Sequence, residues 1–311
     1  MNRRAELLIN DFLLLLTAAI WGFAFAAQRA GMEHVGPFTY NAVRFALGSL
    51  VLLPLAVLRA RRGPGPSDAS PSEASPSRRV PPLAAGLLAG GILFFGASLQ
   101  QAGLVSTTAG KAGFITGLYV VLVPITGLLW RQRAGWSAWS GALLSVIGLF
   151  LLSFTESLHI DRGDLLVLVG AFFWTGHIHV IGWLSPRTDP VRLAAAQFAV
   201  CAVLSAAVAV PLEHPTLNGI RDGAVPILYG GFLSVGIAFT LQVVAQRRSP
   251  PAHAAIILTL ESVFAAVGGA LLLGERLGGR ETVGCALMFA GMLVSQLPIL
   301  ARRAAAQDPA S

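Results

Sequence analysis

Apolar stretches long enough to cross a lipid bilayer recur along the whole chain, and nothing else in the sequence limits its fold so much. A spanning helix needs roughly 20 apolar residues. Runs of about that length fall at 11–30, 37–58, 83–105, 109–130, 136–154, 164–184, 192–212, 224–245, 252–273 and 281–301. Between them stand turn-forming pairs such as Gly36-Pro37, Ser185-Pro186, Pro250-Pro251 and Gly278-Gly279. Of 311 residues 55% are hydrophobic and only 12% charged, more apolar surface than one water-soluble core could cover. The reading is an all-α integral membrane protein of ten transmembrane helices. The basic start at Arg3 and Arg4 and the small residues around Ala24 and Ala26 resemble a secretory signal, but the apolar run is too long for one. It is read as the first span.

The basic residues set an orientation. The net charge of +7 comes from 22 Lys and Arg against 15 acidic residues, scattered in pairs between apolar runs with no nucleic-acid recognition motif, so no nucleic-acid partner is expected. The loops on one side hold Arg3, Arg4, Arg59, Arg61, Arg62, Arg78, Arg79, Arg131, Arg133, Arg187, Arg192, Arg247, Arg248, Arg302 and Arg303. The other side holds Arg29, Arg162, Arg221, Arg276 and Arg280, while Arg44 and Lys111 lie within spans. By the positive-inside rule the first set is cytoplasmic, which puts both termini inside and demands an even number of spans. The expected location is the inner, plasma membrane of a bacterium. The connector from Arg59 to Pro82, rich in Pro, Ser and Arg, reads as a cytoplasmic linker with no fold of its own. Cys201 and Cys285 both lie inside apolar runs and read as small packing residues.

The chain also repeats itself. An offset of 153 carries Trp21 onto Trp174 and Arg44-Phe45 onto Gln197-Phe198. Past the linker the offset falls to 142, carrying Lys111-Ala112 onto His253-Ala254 and Leu118-Tyr119 onto Leu260-Glu261. Near the ends of the halves, Gly141 to Gly148 and Gly284 to Gly291 both read G-x-x-L-x-x-x-G. The repeats are expected at 11–154 and 164–301. Because each holds an odd number of spans, the second must enter the membrane from the opposite side, an arrangement characteristic of secondary transporters.

The segment Thr107 to Pro124 (TTAGKAGFITGLYVVLVP) resembles the fourth-helix signature of EamA-type carriers in the drug/metabolite transporter superfamily. So do Arg44-Phe45, Leu260-Glu261 and the stretch Leu273 to Leu277 that follows. The resemblance runs from about residue 12 to 301. It implies a ten-helix carrier with cytoplasmic termini, often an exporter of amino acids or other metabolites. Separately from the resemblance, a small-molecule substrate, the lipid bilayer as surroundings, a monomer or homodimer and no cofactor are expected. Relatives usually carry Pro after the helix-nine Glu; here Ser262 takes its place, which predicts a softer kink.

Ionisable groups in a span are costly, about 2.5–3.5 kcal/mol each at mid-helix on insertion scales, so each needs a reason. Arg44 lies roughly 10 Å deep at 1.5 Å per residue; it either contacts an anionic substrate group or ties helix two to its neighbours. The neutral repeat mate Gln197 favours the tie. Glu261 lies near the midplane, where it can exchange a proton for a cationic or zwitterionic substrate, or hold helices together. Lys111 and His253 stand near opposite mouths, as gate residues or as a snorkelling lysine and an interfacial histidine. His177 and His179 point about 200° apart on a helix and cannot chelate one ion, so no metal is expected. His177, beside Trp174, is the one expected to face the cavity. Trp21, Gln101, Lys111, Tyr119, Trp174, His177, Gln242 and Glu261 are the expected substrate-binding residues, and Glu261, Lys111, His253 and Arg44 the expected coupling or gating residues. Gly141, Gly148, Gly284 and Gly291 are expected to let helices five and ten approach. The alternative function, an intramembrane enzyme acting on a lipid-linked or membrane substrate, lacks a catalytic motif such as H-E-x-x-H or G-x-S-x-G, and no ATP-binding loop is present.

Overall fold

The computed structural model describes residues 3–62, 79–132, 134–153, 161–273, 278–295 and 297. Among them every regular element is helical. In lipid no water satisfies a backbone N–H or C=O, so each spanning segment must close its own hydrogen bonds as a helix. In chain order the α-helices are α1 (Arg3–Gly31), α2 (Pro37–Arg62), α3 (Pro82–Gly103), α4 (Ala109–Gly117), α5 (Tyr119–Leu129), α6 (Trp136–Ser153), α7 (Arg162–Leu184) and α8 (Pro190–Glu213). There follow a short α9 (Leu217–Asp222), α10 (Ala224–Leu228), a π-helical stretch Tyr229–Phe239, α11 (Thr240–Gln246), α12 (Pro251–Leu258), α13 (Glu261–Leu273) and α14 (Gly279–Ser295).

Eight helical segments among the described residues are long and apolar enough to cross a membrane. They coincide with eight of the expected runs. The other two, 136–154 and 281–301, are helical over Trp136–Ser153 and Gly279–Ser295. Large apolar side chains such as Leu50, Leu53, Leu83, Phe95, Leu128, Val203 and Val210 face outward, as the lipid-facing wall of a multi-pass membrane protein must. α2 runs to Arg62, so the first residues of the expected linker are helical. The linker positions 63–78, Arg78, Arg133, Arg276, Arg302, Arg303 and the Gly274 to Leu277 part of the family-like motif lie outside the described residues.

Three of the expected runs are not single α-helices. The run 109–130 breaks at Leu118, where Leu118 N–H bonds back to Ile115 O (3.2 Å) and Val121 N–H to Leu118 O (3.0 Å). The run 252–273 breaks at Thr259 and Leu260, with Leu260 N–H on Ile257 O (3.1 Å) and Ser262 N–H on Thr259 O (3.1 Å). Both are one turn of tight i→i+3 bonding between two α segments. The second break stands although Ser262 replaces the family's Pro, so the chain does not need proline to interrupt this helix. Ser262 instead anchors it, its Oγ donating to Gly113 O at 3.0 Å. The third interruption is the π-helical stretch, whose wider i→i+5 winding gathers at functional sites.

Packing follows from small residues, since lipid tails are as apolar as leucine and do not drive helices together. α2 lies along α8, α6 along α14, and α3 against both α7 and α8, while α1 packs on α11, α12, α13 and the π-helical stretch. The expected glycine seam is present. A Cβ at Gly148 would fall 2.5 Å from Gly284 O, and one at Gly291 2.6 Å from Gly141 O. Gly22 brings α1 onto α13 in the same way, where a Cβ would meet Phe264 Cβ at 2.5 Å and Glu261 O at 2.6 Å.

Candidate functional site

The two helix breaks and the π-helical stretch converge on one cavity, walled by α1, α2, α3, α4, α5, α7, α11, α12, α13 and that stretch. Tyr119 opens α5 and Glu261 opens α13, so both side chains project from the first turn after a break. They meet: Tyr119 Oη donates to Glu261 Oε1 at 3.0 Å, with both side chains buried.

Aromatic surface forms the rest of that wall. Phe239 stacks on Trp174 with centroids 6.0 Å apart and tilts against Trp21 at 4.5 Å. Each indole is then fixed by a hydrogen bond. Trp21 Nε1 donates to Ser234 O of the π-helical stretch at 3.2 Å, and Trp174 Nε1 to Gln100 Oε1 at 2.9 Å. Gln100 Nε2 in turn donates to Gln28 Oε1 at 3.1 Å. Arg44 enters from α2, with Nε on Asn41 Oδ1 at 2.9 Å and its guanidinium 5.2 Å from the Tyr40 ring and 4.9 Å from the Phe45 ring. Asn41 is one turn back on the same helix, so this hydrogen bond ties no two helices together.

Ten of the fourteen lining residues come in numbered pairs. Trp21 and Trp174, and Phe25 and Ile178, differ by 153, and all four line the cavity. Gln100 and Gln242, Thr116 and Leu258, and Tyr119 and Glu261 differ by 142, and all six line it.

Of the expected substrate-binding residues, Trp21, Tyr119, Trp174, Gln242 and Glu261 are on the wall, joined by Arg44. Three are not. Gln101 is buried behind it, its Nε2 on Gln28 O at 3.1 Å, while its neighbour Gln100 takes the wall position. His177 sits behind Trp174 and Phe239, edge-on to each at 6.1 and 6.0 Å, and hydrogen-bonds Gln197 Oε1 through Nε2 at 2.9 Å. His179 points to the other side of the helix, at Val123 O (3.1 Å), as its spacing from His177 requires. Lys111 lies away from the cavity in an ion-pair cluster, with Nζ 3.5 Å from Asp164 and 3.6 Å from Asp161.

His253 is likewise off the wall, 2.8 Å from Asp11 and 3.3 Å from Ser295 Oγ. Asp11 and Asp164 are 153 apart, as Lys111 and His253 are 142 apart, so the two clusters are built from corresponding residues. Thr107 also bonds Asp164. The sequence reading missed both aspartates and chose Gln101 over its neighbour Gln100; the constant offsets were the signal that pointed to all three.

A sequence model of the EamA-like transporter family matches residues 8–154 and again residues 161–296. Among curated relatives, a transporter of Archaeoglobus fulgidus named only as uncharacterized is 31% identical over 94% of this chain and 87% of its own length. A Salmonella typhimurium protein named a probable amino-acid metabolite efflux pump is 24% identical over 95% of this chain and 97% of its own. A solved crystal structure superposes with a TM-score of 0.73 over 96% of this chain and 99% of that one, at 20% identity, which shows a shared fold. A match covering nearly the whole length, together with the multi-pass helical architecture, places this chain in the EamA-like transporter family.

Proposed function

We propose that the protein is a secondary carrier of small metabolites, amino acids or related compounds, working outward across the bacterial plasma membrane by alternating access. Its ten transmembrane helices form two five-helix repeats, 11–154 and 164–301, inserted in opposite senses with both termini in the cytoplasm. The observation that carries this reading is the pairing of wall residues across the halves, above all Tyr119 with Glu261, which correspond in sequence and touch in space. The twofold match to one family model supports the duplication. The Salmonella relative supports the substrate class and the outward direction.

Alternating access needs two closures that open in turn around one site. The Lys111 cluster joins α4 to α7, and the His253 cluster joins α12 to α1 and α14. In this reading they are the outer and inner latches. Releasing one while the other holds exposes the cavity to one side only. Glu261 exchanges its proton for solute within the cavity.

Vesicles carrying the purified chain test the class. Amino-acid flux that saturates and shows counterflow is the expected result. Unsaturable flux indicates a channel, and chemical conversion of a membrane substrate indicates an enzyme; either result sinks the carrier reading.

A further inference from the structure

Corresponding residues of the two halves are not in the same arrangement on the cavity wall. Trp174 and Trp21 differ by 153 and line the cavity together. Trp174 Nε1 donates to Gln100 Oε1 at 2.9 Å, whereas Trp21 Nε1 donates to a backbone carbonyl, Ser234 O, at 3.2 Å. The residue that corresponds to Gln100 is Gln242, 142 positions on and on the same wall. Gln242 is 1% exposed, and its amide oxygen accepts from no described residue. A buried acceptor left without a donor carries a free-energy cost until one arrives. Resting on the carrier reading above, we infer that Gln242 is a positioning residue: it accepts the Trp21 indole when the cavity opens to the opposite side of the membrane, and Trp174 then leaves Gln100.

The backbone beneath the two glutamines differs in the same sense. Gln100 lies in α3, which is α-helical from Pro82 to Gly103. Gln242 lies three residues past the end of the π-helical stretch Tyr229–Phe239, whose counterpart 142 positions back is 87–97, inside α3. A stretch wound i→i+5 turns everything beyond it relative to one wound i→i+4. Gln242 is therefore aimed differently toward Trp21 than Gln100 is toward Trp174. The Trp21 ring already packs on Phe239, with centroids 4.5 Å apart, and Phe239 is about one helical turn before Gln242. Ser234 O, which now holds the indole, belongs to the π-helical stretch itself. Rewinding that stretch as an α-helix withdraws the present acceptor and turns the new one in.

Two inverted halves that differ in conformation have a second arrangement, in which each takes the other's conformation and the opening lies on the opposite face. In it 87–97 carries the wider winding and Trp174 turns to Ile92 O, the counterpart of Ser234 O. Only the tryptophan bond can be exchanged in this way. Gln100 also donates to Gln28 Oε1 and accepts from Thr116 Oγ1 at 3.4 Å. The residues that correspond to Gln28 and Thr116 are Ile181 and Leu258, whose side chains make no hydrogen bonds. Gln242 has the indole alone to receive.

The test reads which face the cavity opens to, with no solute present. In the full chain with Cys201 and Cys285 replaced by alanine, a cysteine at Ile178 on the wall is labelled by a membrane-impermeant maleimide from each face of oriented vesicles. Gln242→Met, close to glutamine in length but without its acceptor, is expected to shift the ratio of the two labelling rates in one direction, and Gln100→Met in the other. Each shift is roughly two- to tenfold, as the loss of one hydrogen bond from one of two states implies. In a chain carrying Trp21→Phe, Gln242→Met is expected to shift nothing further, because the donor is gone. A role in solute binding alone moves neither ratio, and a general packing role moves both the same way. The inference is overturned if Gln242→Met leaves the ratio unchanged, moves it in the same direction as Gln100→Met, or still moves it in the Trp21→Phe chain. Should Gln242→Met not fold, Gln242→Asn, which withdraws the amide by one methylene, takes its place in every comparison. Labelling from both faces that ignores Gln242→Met discards the tryptophan exchange and leaves the carrier reading standing. Labelling from one face only, in every variant, discards both.

Discussion

At the scale of single residues, the Tyr119–Glu261 contact concentrates the chemistry. A carboxyl group buried at the start of α13 accepts from the tyrosine hydroxyl and can give up or take up a proton there. If Glu261 carries the coupling proton, Glu261→Gln abolishes transport driven by a pH gradient in vesicles yet preserves solute exchange, because glutamine keeps the shape and the hydrogen bond. Gradient-driven transport at the unaltered rate would remove Glu261 from that role. Residues such as Trp21, Tyr119, Trp174, Gln242 and Glu261 were readable from sequence because polar or aromatic groups in an apolar run need a reason to be there. Gln101 was not, since adjacent helical residues differ by about 100° and nothing local tells which of Gln100 and Gln101 faces inward. Lys111 misled for another reason: its partner Asp164 arrives from a helix 53 residues away.

At the scale of elements, the helices are held by seams of glycine and interrupted where the cavity needs them. The α6–α14 seam was legible, because two glycines seven residues apart in each helix place both on one face. The breaks were not. Neither has a proline at the interruption; Leu118 follows Gly117, and Thr259 and Leu260 precede Ser262, residues that equally suit an unbroken helix. The seam gives a signed pair of predictions. Gly148→Ala pushes a methyl against Gly284 O, where a Cβ would lie at 2.5 Å, and should cost about 1–3 kcal/mol through overpacking. Gly91→Ala, inside α3 where a Cβ meets nothing within 4 Å, should gain about 0.5–1 kcal/mol from helix propensity alone. Thermal unfolding in detergent reads both. Equal melting temperatures for the two variants would mean that α6 and α14 are not in close contact.

For the whole molecule, the decisive matter is whether the two polar clusters belong to opposite faces of the membrane. They are made of corresponding residues: Asp164 with Lys111, and Asp11 with His253. In two copies inserted the same way, corresponding clusters lie on the same face; in two copies inserted oppositely, they lie on opposite faces. Neutralising one aspartate weakens one cluster and, in a carrier, biases the protein toward opening at that end. A cysteine placed at Thr116 on the cavity wall, in a chain whose own Cys201 and Cys285 are replaced by alanine, reports the opening through reaction with a membrane-impermeant maleimide. Asp164→Asn should raise labelling from the outside of oriented vesicles, and Asp11→Asn labelling from the cytoplasmic side. The size of each effect follows from how far a lost side-chain contact shifts a two-state balance: about 1.4 kcal/mol of bias changes the ratio of open to closed forms tenfold. Labelling that rises on the same side for both variants would mean the halves are threaded in parallel. A carrier built on one rocking pair of mirrored halves could not survive that result, because both latches would then guard the same mouth.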